Sequence, residues 1–350
     1  MNIFLSLLLP VQFLLIALLK TNPVWVERFY SQGLYPYISL FLRFLLGWIP
    51  FSIGDFLYAF LIIGLIRWLY IRIKTKFRKP KLWIFSALAT LSIIYGCFNL
   101  FWGYNYYRLP LHTSLEIETD YTPEELLAYT SHLIEQSNRL HFSLTKNDTL
   151  QVKFPFNKFE VDEKALQGYH HIAKTFPELA YPQRSLKPSL FSIPLTYMGF
   201  NGYLNPLTNE AQYNRQIPLF KLPSTTSHEI GHQLGYAKEN EANYMACLTT
   251  MNHPDEYMRY AGYTFALQYC FGEVLKTQPC EAENLLARIH PGILKDYREV
   301  RLFWESHDNP LEPFFKLFYG SYLKANNQPL GIKSYNYVVA LLVNMHQKQN

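Results

Sequence analysis

The sequence predicts an α-helical membrane anchor of about three spans over residues 1–102, followed by an α+β, mainly helical domain over residues 103–350. Three observations carry that prediction. Residues 82–102 hold no charged side chain, and about twenty apolar residues rising 1.5 Å each cross a hydrocarbon core about 30 Å thick. Charge divides unevenly: residues 1–102 carry ten Lys/Arg against two Asp/Glu, whereas the remainder carries twenty-two against twenty-five. Hydrophobic residues make up 49% of the 350 and charged residues only 17%, below the usual quarter, which excludes a disordered or collagen-like chain. The net charge of +5 therefore belongs to the apolar third and is no nucleic-acid footprint.

The first span is residues 3–19, near the lower limit of length and containing Pro10 and Gln12. A cleaved signal peptide is the competing reading, but no basic segment opens the run and no A-x-A pattern precedes Lys20. Residues 51–71 form the second span, with Asp55 near one end and Arg67 near the other, where a long side chain reaches the headgroups. Between the second and third spans stand Arg72, Lys74, Lys76, Arg78, Lys79 and Lys81, with no acid among them. Such loops resist translocation, so residues 72–81 are expected in the cytoplasm, in contact with anionic lipid, and residues 103–350 outside it. Residues 35–48 are apolar and aromatic but short, which predicts an interfacial or re-entrant helix and not a fourth crossing.

From Gly103 onward polar and apolar residues mix. Thr122-Pro123-Glu124-Glu125 opens a helix over 121–140, with proline at the first helical position and acids in the first turn. Further helices are expected over 157–176, 225–235, 239–250, 257–276, 281–290, 293–305, 313–325 and 334–346. Residues 190–205, rich in Phe, Ile, Tyr, Met and Gly between prolines, suggest short strands. Four cysteines without a CxxC pair exclude a cysteine-rich zinc module. Cys270 and Cys280 could bridge in an oxidising compartment, although two free thiols is the favoured reading.

His228-Glu229-Ile230-Gly231-His232 contains His-Glu-x-x-His. Residues four apart share one face of a helix, so the two imidazoles can converge on one ion. Neutral imidazoles suit zinc, and the acid beside the first His can take a proton from water at the open position. The plainer alternative makes Thr226-x-x-Glu229 a capping box with inward-facing histidines. Gly231 argues against it, because a glycine inside a helix costs about 1 kcal/mol relative to alanine; a closely approaching backbone, such as a substrate-lining strand, would explain it. Gly235 then ends the helix in the left-handed region. A third ligand is needed. In the pattern HExxHxxGxxH it would fall on Lys238, which cannot serve while protonated, so Glu241, in the first turn of the next helix, is chosen over Glu239.

The layout resembles an uncharacterised bacterial family of multi-pass membrane proteins with a zincin-like, gluzincin-type extracytoplasmic domain. Gly202-Tyr203-Leu204-Asn205-Pro206, Asn209-Glu210-Ala211-Gln212, the HExxH segment, Glu241-Ala242-Asn243, Arg259-Tyr260-Ala261-Gly262-Tyr263 and Gly331-Ile332-Lys333-Ser334-Tyr335 carry the resemblance. It implies an inner-membrane location with the domain on the periplasmic side and a peptidase-like zinc site, but no particular substrate.

The expectation is a membrane-anchored zinc-dependent hydrolase, foremost a metallopeptidase acting on a peptide or protein. His228, His232 and Glu241 would hold Zn(2+), Glu229 would activate water, and Tyr263 or Tyr260 would steady the oxyanion. Residues 200–213 could pair with an extended substrate or form an irregular loop, and His170-His171 reads as a surface pair. The rivals are a catalytically silent zincin scaffold that binds or senses, and a zinc amidase acting on a cell-envelope bond.

Overall fold

Segregation of apolar residues dictates the first level of the architecture. The computed structural model of the chain describes residues 2–328 and 337–349. Three helices in it are long and apolar enough to cross a membrane: α1 (Asn2–Lys20), α4 (Ile53–Lys74) and α5 (Pro80–Phe101). Between α1 and α4 lie the single turn α2 (Pro23–Trp25), a π-helical stretch Val26–Leu34, and α3 (Tyr35–Leu46). α1 packs along α5, where Gln12 Nε2 donates to the Ser92 carbonyl and hydroxyl at 3.1 and 3.2 Å. The basic residues between α4 and α5 sit on an exposed turn in which Lys76, Phe77 and Lys79 adopt left-handed backbone.

The remaining elements are α6 (Leu111–Leu115), α7 (Pro123–Thr145), α8 (Lys158–Ile172), β1 (Leu186–Pro188), α9 (Ser192–Met198), β2 (Gly202–Asn205) and β3 (Glu210–Tyr213). Then follow α10 (Leu222–Gln233), α11 (Glu239–Met251), α12 (Glu256–Thr277), α13 (Pro279–Leu286), α14 (Pro291–Glu305), α15 (Glu312–Ala325) and α16 (Tyr337–Gln349). α7 begins with the expected signals: Thr122 accepts from Glu125 N while the Glu125 carboxylate accepts from Thr122 N. Asn157 and Glu160 do the same for α8. The sheet has the order β1-β3-β2, with β1 parallel and β2 antiparallel to β3. The expected extended run at 190–205 is thus half helix, α9 occupying 192–198. Apolar side chains of α7, α8, α10, α11, α12 and α16 interlock as the main core.

The short helix expected at 35–48 is α3, which packs one face on this body and leaves Phe41, Phe44 and, just past its end, Trp48 exposed on the other. Tyr35 Oη donates to the Gln233 carbonyl at 2.7 Å, Ser39 Oγ to Asn209 Oδ1 at 2.8 Å, and Arg43 Nη1 to the Gln183 carbonyl at 2.9 Å. The Arg43 guanidinium also lies over the Tyr181 ring. These polar groups find partners here that a lipid surface would not supply. Contacts therefore bind residues 26–46 to the region after 102 instead of dividing the chain there. If all three apolar helices cross a bilayer, both stretches lie on one side of it, as this packing requires.

Cys270 is buried and Cys280 exposed, both as free thiols. The Gly331–Tyr335 motif lies outside the described residues.

Glu27 and Arg108 form a buried bidentate pair, with Arg108 Nε to Oε2 at 2.8 Å and Nη2 to Oε1 at 2.6 Å. Removing one partner of such a pair leaves an uncompensated buried charge, a loss of about 3–5 kcal/mol. Glu27→Gln should therefore destabilise the full chain by about that amount in a denaturant titration in detergent, whereas Glu124→Gln on the exposed start of α7 should leave the midpoint unmoved.

Candidate metal centre

Two consecutive helices build the centre. α10 holds His228 and His232 one turn apart with ring centroids 4.6 Å from each other. The chain then reverses at Gly235, whose φ of +90° is the left-handed conformation that favours glycine. It re-enters α11 at Glu239, whose carboxylate faces both rings: Oε2 lies 3.3 Å from His228 Nε2 and Oε1 3.6 Å from His232 Nε2. One donor atom from each of the three lies within 4.8 Å of the others, the one such His/Cys/Asp/Glu group among the described residues.

Glu239, not Glu241, is thus the carboxylate brought to the imidazoles. Two residues along a helix turn a side chain through roughly 200°, so Glu241 points the other way, accepting from Leu111 N at 3.0 Å and from Lys238 Nζ at 3.4 Å. Gly231 is explained by the same helix pair. A Cβ there would stand 3.2 Å from Met245 Cβ and 3.6 Å from Ala242 Cα, so the approaching backbone is α11 and not a strand. The capping-box alternative also fails, because Thr226 lies inside α10 and its hydroxyl donates back to the Leu222 carbonyl.

Both imidazoles are oriented from behind. His228 Nδ1 bonds Asn243 Oδ1 at 2.9 Å, and His232 Nδ1 donates to the Tyr236 carbonyl at 2.8 Å, leaving each Nε2 toward Glu239. The end of α10 is tied to residues that flank the apolar helices. Trp102 Nε1 donates to the His232 carbonyl at 2.9 Å, Tyr35 and Ser39 donate to that of Gln233, and Arg108 donates to that of Gly235.

Charge follows burial and proximity. Burial, aided by the neighbouring His232, pushes the His228 imidazole below its usual range. Burial pulls on His232 as well, but the Glu239 carboxylate outweighs it and raises that ring to about 9. Burial likewise opposes ionisation of Glu239, yet bonds to the two imidazoles hold it well below the carboxylate range.

Glu229 lies beside this group, 3% exposed. Burial pushes its carboxyl up to about 8, against the pull of His232 and with a push from Glu239. Its Oε2 has no hydrogen-bond partner. Its Oε1 faces Gly202 of the edge strand β2, where a Cβ would come within 2.6 Å. The 202–213 hairpin is therefore a strand pair at the site.

The two tyrosines expected here are elsewhere. The Tyr260 hydroxyl donates to Asp296, deep in the core beside His141, and Tyr263 packs on the main core and not at the cluster. Spacing from the motif could not reveal that α12 carries both away. The hydroxyl at the centre is Tyr319 of α15, which donates to Glu239 Oε1 at 2.5 Å. His170 and His171 are exposed, as a surface pair would be.

A family model described as a protein of unknown function, DUF3810, matches residues 30–343. The chain belongs to that DUF3810 family. The family match takes in α4, α5, α10, α11 and α15, and so the whole candidate centre. No curated protein and no solved structure matches the chain.

The Tyr260–Asp296 bond has a pH signature. Burial raises the Asp296 carboxyl from its ordinary 3.8 to about 7, although the Tyr260 bond lowers it in part. The folded chain thus holds a proton that the unfolded chain releases near pH 4. This contribution to stability is complete below that pH and is lost as pH rises through 7. Asp296→Asn should flatten the decline in denaturation midpoint between about pH 4 and 7; an unchanged slope would refute the assignment.

Proposed function

We propose that this chain is a membrane-anchored zinc-dependent hydrolase, foremost a metallopeptidase. The observation that carries the reading is the meeting of two imidazoles and a carboxylate with a buried, unpartnered Glu229 oxygen beside them. Two imidazole nitrogens, His232 giving up its proton on binding, and one carboxylate oxygen are a donor set suited to zinc in a hydrolytic site, with a fourth position left for reactant. His228, His232 and Glu239 would hold the ion, with Asn243 and Tyr236 fixing the rings.

Zinc, when bound, supplies Lewis-acid polarisation of a substrate carbonyl and acidifies water at neutral pH. A divalent charge beside it would favour the ionised form of Glu229, whose Oε2 would then take a proton from the attacking water and return it to the departing amine, as its lack of any other partner permits. Tyr319 donates to Glu239 Oε1 and would steady that carboxylate as a ligand; turned from it, the same hydroxyl would be the nearest donor for the oxygen on which charge develops. β2, at the end of the strand order, is the strand that would offer backbone groups to an extended peptide.

For orientation, the exposed cluster Arg72–Lys81 lies on the cytoplasmic side, and the body lies outside the cytoplasm, across the inner membrane of a bacterial cell. What supports this is the exposed basic turn at one end of α4 and α5 and the whole body at the other.

Elemental analysis of the full chain in detergent should find about one zinc per molecule. His232→Ala and Glu239→Ala should each remove most of it, and Glu241→Gln should retain it. Glu229→Gln should keep the metal and lower cleavage of a peptide library by about 10²–10⁴-fold. Full metal content with no cleavage by the unaltered protein would favour the silent scaffold. In a Cys280→Ser background, a cysteine at Asn147 should react with an impermeant thiol reagent in intact cells and one at Lys76 should not; the reverse pattern would invert the topology.

A further inference from the structure

The outer face of α15 and the adjoining α9 carry an apolar surface that the chemistry above does not use. Among the described residues after 103, fourteen large hydrophobic side chains are exposed, and seven of them fall within 190–197 and 311–318. At the start of α15 and on it, Leu311, Phe314, Leu317 and Phe318 are 62–70% exposed. At about 100° per residue they fill an arc of roughly 120°. Ile193 and Tyr197 extend the surface onto α9, and the Asn309 side chain ties the two parts by donating to the Tyr197 carbonyl at 2.7 Å.

This surface sits where the apolar spans meet the body. Tyr322 of α15 lies against Phe98, one turn inside the end of α5, with ring centroids 6.4 Å apart. Leu190 N, just before α9, donates to Asp55 Oδ2 at 2.7 Å, and Asp55 is in the first turn of α4. The patch is thus continuous with two helices that are built to lie in lipid. The opposite side of α15 carries Tyr319, bonded to Glu239, so the same helix roofs the candidate metal centre. Trp102, the residue after α5, stands edge-on to the His232 ring at 5.9 Å.

We infer that the exposed apolar faces of α9 and α15 are seated in the headgroup–acyl boundary of the bilayer that α4 and α5 cross, so that the metal centre takes a substrate tethered to that membrane. The occupant of the patch is lipid, because a helix joined to the last turn of one span and a neighbour joined to the first turn of another are held at interface depth. An interfacial helix has this form, with large apolar side chains on one arc and Lys316 and Lys324 outside it. A bond carried by a lipid-anchored or juxtamembrane peptide would then be presented within one helix diameter of His228 and His232. The substrate clause rests on the hydrolase reading; the seating does not.

The test uses the full chain in lipid nanodiscs with Cys97→Ser and Cys280→Ser, leaving only buried thiols. A nitrobenzoxadiazole dye on Leu317→Cys should emit to the blue of the same dye on Asn147→Cys, and shallow spin-labelled lipids should quench it at least threefold more. A dye at 317 as wet as that at 147 overturns the seating, and so does one that is shielded but not quenched, which would mean a second copy. For the substrate clause, one peptide library is supplied free and coupled to a phospholipid in the disc. The lipid-coupled pool should be cleaved at least tenfold faster, and L317Q/F318Q should lose that advantage while keeping its zinc and its cleavage of the free pool. Equal cleavage of both pools overturns the tethered-substrate inference and leaves the hydrolase standing. Cleavage of neither removes hydrolase and substrate clause together, with the seating still decided by the dye.

Discussion

The last carbonyls of an α-helix have no partner within the helix, and in α10 they are met by donors from the chain around the spans. Trp102 reaches His232, Tyr35 and Ser39 reach Gln233, and Arg108 reaches Gly235. Because His232 is itself one of the converging imidazoles, these bonds set where one ring stands. Arg108 is in turn held by Glu27, so the arrangement depends on a buried ion pair whose acid precedes α3. Anchor and centre are therefore a single packing unit, and a fragment cut at Gly103 would expose the end of the helix that carries the chemistry.

The sheet is fastened to the anchor by the same logic. Glu210 of β3 accepts from the backbone of Ile53 and Gly54, the first residues of α4, where negative charge complements the helix dipole. Lys187 of β1 neutralises that carboxylate and donates to the carbonyls of Leu46 and Phe51. A buried pair of this kind is weak evidence for stability but fixes one arrangement of its neighbours. Here it sets the start of a span against the strand pair that lines Glu229.

How much of this was legible in the sequence divides along the range of the interactions. The three apolar runs, the helix opening at Thr122–Glu125, the turn at Gly235 and the shared face of His228 and His232 are local patterns, and each appears within about three residues of its expected place. Glu239 was set below Glu241 because rotation of α11 about its axis depends on packing against α10, through Gly231, and not on spacing. Tyr319 lies eighty residues beyond its partner, with no periodicity to point to it. Tyr260 and Tyr263 were drawn in by proximity in sequence alone. α3 has two faces: Phe41, Phe44 and, just past its end, Trp48 stay exposed, as an interfacial stretch would leave them, whereas Ser39 and Arg43 bond to distant chain that no local pattern could name.

Tyr35 and Gln233 are separated by 198 residues, which gives the hydrogen bond at the end of α10 a consequence for assembly. Contacts so far apart in sequence close slowly, and the donor emerges from the ribosome long before its acceptor. The end of α10 can therefore be closed only after the second half of the chain has docked on the first.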